Sequence, residues 1–151
     1  MMIIAKLLAT CLGIGYIQKG AGTVAALFCC AVWYFLRLHE TGLVEQIVQV
    51  CVLFFIGVWA AAKVEKYWGH DSNRVVIDEW LGMTVALFLI PFKWPYVITA
   101  FILFRAFDIL KPLYIRRMEA VAGGWGVMLD DLLAGIYSNV ILHLLIKSHL
   151  F

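Results

Sequence analysis

Two pairs of adjacent carboxylates, Asp78 with Glu79 and Asp130 with Asp131, enter otherwise apolar stretches of this chain. Ionised groups are costly in such surroundings and usually mark function. Gly82 lies one helical turn beyond Asp78, and Ala134 and Gly135 lie one turn beyond the second pair. Small residues there leave room beside the carboxylates. The competing reading is complementation of a helix dipole for Asp78 and Glu79, and helix capping for Asp130 and Asp131. Capping needs one carboxylate, and Asp130 with Asp131 supplies two.

A third cluster holds the cations. Arg105, Asp108 and Lys111 recur at i, i+3 and i+6, which places them on one helical stripe until Pro112 breaks it. Here the alternative is a structural Arg105–Asp108 ion pair. Gly13, Gly15, Gly20, Gly22 and Thr23 precede an apolar run. Exposed N–H groups at such a helix start favour an anion, and Thr23 is placed to cap the helix or to bond a phosphate oxygen. Asp71 and Arg74 stand just ahead of Asp78. Asp71 reads equally as a solvated loop residue or as a further metal ligand.

These are hard oxygen donors with no Cys/His set beside them, so they suit Mg²⁺ or a similar cation rather than zinc. Arg105, Lys111 and Arg74 are the complementary phosphate binders. A metal held by Asp78, Glu79, Asp130 and Asp131, with cations beside it, points to phosphoryl chemistry. No Ser/His/Asp or Cys/His order can be assembled: His39, His143 and His149 fall on the far side of the chain's charge pattern. Cys11, Cys29, Cys30 and Cys51 sit in apolar stretches without CxxC spacing and read as small membrane residues.

The elements that must position these groups belong in lipid. The chain has 151 residues, 64% apolar and 15% charged, against about 45–50% and about 25% in soluble domains. One soluble core cannot hide that excess. Net charge is +2 with no basic run longer than Arg116-Arg117, which argues against nucleic acid as a partner. Charges and prolines divide the chain into apolar blocks at 23–36, 47–62, 75–92, 94–109 and 132–146. Helices are the form such blocks take in lipid. The expectation is an all-α, polytopic membrane bundle of about five spanning or partly spanning helices. A short amphipathic or re-entrant segment precedes them, and residues 1–151 form one domain. With five spans, nine of the twelve Lys and Arg residues and eight of the ten Asp and Glu residues fall on one side. The positive-inside rule makes that side cytoplasmic.

At Ile77-Asp78-Glu79-Trp80-Leu81-Gly82-Met83, at Phe104-Arg105-Ala106-Phe107-Asp108-Ile109-Leu110-Lys111-Pro112 and at Gly123-Gly124-Trp125-Gly126-Val127-Met128-Leu129-Asp130-Asp131, the chain resembles the phosphatidylglycerophosphatase A family. The likeness extends more loosely to Gly13, Gly15, Gly22 and Thr23, and so covers roughly residues 7–140. In that family the first motif usually reads Pro-Gly-Thr followed by Gly-Ser, whereas this chain has Ala21 and the pair Ala25-Ala26. The resemblance implies a Mg²⁺-dependent phosphatase of the bacterial cytoplasmic membrane, with its site facing the cytoplasm. Its substrate would be phosphatidylglycerophosphate, hydrolysed to phosphatidylglycerol and phosphate. A CDP-alcohol-type phospholipid synthase needs an Asp-Gly-x-x-Ala-Arg motif that does not occur here. A small cation transporter would need carboxylates near mid-bilayer rather than crowded at one interface.

Overall fold

The computed structural model describes residues 1–69 and 72–148. Its described residues form seven α-helices and no strand: α1 (Met2–Ala9), α2 (Ala21–Phe35), α3 (Leu43–Trp68), α4 (Ile77–Ala86), α5 (Trp94–Leu110), α6 (Ile115–Glu119) and α7 (Gly124–Lys147).

Two helices, α3 with 26 residues and α7 with 24, are long and apolar enough to cross a membrane. At about 1.5 Å per residue each exceeds the ~30 Å hydrocarbon thickness. The outward stripe Val44, Val48, Val52 and Phe55 on α3 is exposed, as are Ile136, Val140 and Leu144 on α7. Such continuous apolar faces need a non-aqueous neighbour. Helix α5, with 17 residues, sits at the lower edge of the spanning range of about 17–25 residues, and α2, with 15, just below it. Of the five expected spans, length and composition thus support two.

The block at 75–92 is organised differently from a span. Only Ile77–Ala86 is helical, ten residues or about 15 Å. Helix α4 is packed among α2, α3, α5 and α7, so Asp78 and every residue from Leu81 to Ala86 is buried. Its hydrophobicity serves the bundle interior. A helix ending inside a bundle leaves carbonyls and amides without intrahelical partners. Side chains from the long helices supply them: Asn139 Nδ2 donates to the carbonyls of Ala86 (3.2 Å) and Phe88 (2.8 Å), and the Leu89 amide donates to Gln46 Oε1 (2.8 Å). Pro91 then prevents the helix from resuming.

The short N-terminal segment is helical, as expected of an amphipathic start. Helix α1 packs Ala5 and Ala9 against α3 and exposes Ile3, Ile4 and Leu7. Lys6 Nζ lies 5.8 Å and 5.7 Å from the rings of Tyr67 and Trp68.

Candidate active site

Helix α4 is anchored where its carboxylates begin. The Val75 amide donates to the Ser72 carbonyl and the Val76 amide to the Ala9 carbonyl, both at 2.8 Å. Asp78 and Glu79 therefore occupy the first turn of α4, with the helix N-terminus favouring their charge. On α7 the situation differs. That helix starts at Gly124, so Asp130 and Asp131 lie nearly two turns inside it and do not cap it. Both are buried, at 6% and 3% exposure.

Glycines let the two helices bring their carboxylates together. A Cβ on Gly135 would collide with the Gly82 carbonyl, and one on Gly82 would meet the Phe104 ring and the Asp131 carbonyl. Only bare backbones approach this closely. Asp78 is one turn before Gly82, and Asp131 one turn before Gly135. The contact consequently draws Asp78, Glu79 and Asp131 into a group whose ligand oxygens all lie within 4.8 Å of one another.

The cations come from α5. Arg105 is ion-paired with Asp108, and its Nη1 is 4.0 Å from Glu79 Oε1. Lys111 caps the C-terminus of α5 with φ of 44°, and its Nζ donates to Asp130 Oδ2 at 2.8 Å. Asp130, expected beside Asp131 at the metal, lines the same cleft with its Oδ2 on Lys111 and is not part of the compact trio. These side chains line one polar cleft of about 300 Å³, together with Ser72 and Asn73. Those two residues were missed by sequence reasoning; their only signal is their place in the turn leading into α4. Two atoms in the cleft wall, Glu79 Oε2 and Arg105 Nε, are buried with no hydrogen-bond partner among the described residues. Buried polar atoms are rarely left so, and both belong to side chains that frame the cleft.

The N-terminal glycines contribute at one point. Helix α2 starts at Ala21 after Gly20 (φ 77°), so Thr23 lies inside its first turn rather than at the cap. Gly22 abuts Glu79: a Cβ there would overlap the carboxylate. Neither Gly22 nor Thr23 lines the cleft. Arg74 is exposed with its guanidinium 5.7 Å from the Trp68 ring, outside the lining. Asp71, and with it His70 and His149, lies outside the described residues. The cysteines are free among the described residues. Burial and then the Glu79 charge push the Cys11 thiol up to about 12, which leaves it a neutral thiol and not a nucleophile.

Carboxylates gathered at one point, with a guanidinium at their edge, are the arrangement phosphoryl transfer requires. The family model for phosphatidylglycerophosphatase A matches residues 7–146, which include every one of these groups. The chain belongs to the phosphatidylglycerophosphatase A family. It is thereby a lipid phosphatase. Phosphatidylglycerophosphatase A of Haemophilus influenzae is 36% identical over 138 residues, 89% of this chain and 84% of the relative. That of Escherichia coli is 34% identical over 140 residues, 91% and 80%. A Bacteroides thetaiotaomicron protein whose provisional name is phosphatidylinositol-3-phosphatase is 46% identical over 144 residues, 90% of this chain and 89% of the relative. No solved structure matches the chain.

Proposed function

We propose that this phosphatidylglycerophosphatase A relative hydrolyses the terminal phosphomonoester of phosphatidylglycerophosphate at the cytoplasmic membrane face, with Mg²⁺ as cofactor. The observation carrying the proposal is the trio Asp78, Glu79 and Asp131 with Arg105 at its rim. The donor set fits a hard divalent cation: all oxygen, compact, with Glu79 Oε2 buried and unpartnered. A bound cation would neutralise phosphoryl charge and lower the pKa of attacking water.

The chain's own residues do the rest. The Arg105 guanidinium grips two oxygens of the phosphoryl group, a geometry lysine cannot reproduce. Asp108 holds that guanidinium in place through their ion pair. Lys111, fixed by Asp130, adds positive charge where the leaving ester oxygen develops its own negative charge. A carboxylate of the trio accepts the proton of the attacking water as its oxygen bonds to phosphorus and the phosphorus–ester bond breaks, and the departing ester oxygen takes up a proton from solvent to leave as the alcohol. Thr23, Gly22 and Arg74 lie off the cleft and would act on the headgroup only as it enters. About five spanning or partly spanning segments, α4 among the partial ones, with the cleft on the cytoplasmic side complete the reading, supported by the asymmetry of basic residues.

The Bacteroides relative favours a second substrate of the same class, a 3-phosphate on an inositol lipid. Phosphate release from purified protein should be measured on phosphatidylglycerophosphate, phosphatidylinositol 3-phosphate and phosphatidic acid. The expected result is fastest release from phosphatidylglycerophosphate. Preference for the inositol lipid would establish the second substrate, and release from none of them would contradict both.

A further inference from the structure

A large cavity among the described residues is remote from the polar cleft in composition but joined to it through two helices. It is an apolar groove of about 470 Å³ between α2 and α5, a volume typical of ligand sites. Trp33 and Val97, both buried, form its floor, and the exposed Leu27 and Ile98 stand at its rims. Helices α2 and α5 touch little along this length, which is why the gap exists.

The helices that form both walls continue toward the polar cleft. On α5, Trp94, Ile98 and Phe101 continue at spacings of four and three residues to Arg105 and Asp108, so groove and cleft share one helical stripe. On α2, the turn before Leu27 ends at Gly22 and Thr23, where Gly22 abuts Glu79. Glu79 in turn faces Arg105. Followed one turn past the groove lining, the two helices thus lead toward Glu79 and Arg105, where a phosphate would sit. At the groove's other end Tyr34, Phe92 and Trp94 pack against one another in tilted and edge-to-face contacts, with ring centroids 4.7–5.8 Å apart. From Trp94 to Arg105 the helix rises about 16 Å, close to one leaflet of a ~30 Å hydrocarbon core.

We infer that this groove holds one acyl chain of the lipid whose phosphomonoester occupies the cleft. The inference rests on the phosphatase reading for the identity of that lipid. A chain in the groove gains little affinity over surrounding lipid, because both environments are apolar. Its value is orientation: it fixes the headgroup's depth and approach to Arg105, and binding remote from the reacting atoms is then expressed as turnover.

The test is photolabelling of the full chain in phosphatidylcholine vesicles. These carry phosphatidic acid with a diazirine midway along one acyl chain or, in a parallel arm, phosphatidylcholine with the same diazirine. The expected result is labelling by phosphatidic acid at Leu27, Cys30, Ile98 and Phe101, several-fold above the lipid-facing stripe of Val52, Phe55, Ile136 and Val140. The phosphatidylcholine probe should show no such preference, and Ile98→Trp should remove groove labelling while labelling of the α3 and α7 stripe persists. Even labelling by both probes would make the groove an ordinary boundary-lipid surface and overturn the inference. So would cross-linking of the groove to a second copy of the chain. Phosphate release is scored separately. Preferential labelling without release from any lipid would sustain the groove and sink the phosphatase reading, and release with even labelling would do the reverse.

Discussion

Asp130 and Asp131 are neighbours in sequence, yet they face different partners. Successive residues on an α-helix point about 100° apart, and here one turns to Lys111 while the other joins Asp78 and Glu79. Residue types and spacing mark both as candidate site residues, and both line the cleft; which partner each faces depends on how α7 is rotated about its axis, which a single sequence does not encode. Arg105 and Asp108 pair as their i, i+3 spacing allows. The pair alone would fit a structural role, but Arg105 also faces Glu79 and keeps an unpartnered buried Nε. Arg105→Lys should therefore lower kcat by roughly 10²–10³-fold, the cost of one lost transition-state donor, with membrane insertion unchanged. Recovery of activity in the double variant Arg105→Asp with Asp108→Arg would return the pair to a structural role. Thr23 and Arg74 show the limit of motif reading: each is polar and near the right segment, but the start of α2 and the packing of Trp68 place them off the cleft.

Among the elements, α4 controls the site, and its length was the feature least visible beforehand. An apolar block of eighteen residues (75–92) reads as a span, because hydropathy does not distinguish burial in lipid from burial among helices. The signals of a short helix were present as single residues: Pro91 within the block, and the polar Gln46 and Asn139 in otherwise apolar helices. Only their meeting at Ala86, Phe88 and Leu89 shows what they are for. The glycines were legible as space beside carboxylates, and the structure makes them the contact between α4 and α7. Gly82→Ala would drive a methyl group into the Asp131 backbone and the Phe104 ring. Overpacking of that kind costs about 1–3 kcal/mol. Displacing Asp78 from Asp131 by even an ångström should cost activity on the order of 10²-fold. Thermal denaturation and turnover of Gly82→Ala and Gly135→Ala, measured together, check this: full activity in both would mean that the close crossing does not set the site.

For the molecule as a whole, the proposed orientation rests on charge: if the five apolar blocks each cross or partly cross the membrane, nine basic residues fall on the cleft's side against three on the other, and the positive-inside rule would make that side cytoplasmic. Single cysteines replacing Glu40 and Arg117 in a cysteine-free background should label from opposite faces of sealed vesicles, Glu40 from outside and Arg117 from the cytoplasmic face; labelling of both from one face would contradict the arrangement. The all-helical class was legible because composition alone demands it, whereas the number of full crossings depends on helix lengths that caps and tertiary contacts decide. The central claim is that the Asp78, Glu79 and Asp131 trio holds the cation that drives phosphate release. Its most direct test is phosphate release from phosphatidylglycerophosphate as Mg²⁺ is titrated into metal-free protein, for the native chain and for Asp131→Asn. No release is expected without a divalent cation; the native chain should show saturable activation, and Asp131→Asn should lose turnover by orders of magnitude while still folding and inserting. Release that is independent of Mg²⁺, or near-native activation of Asp131→Asn, would contradict it.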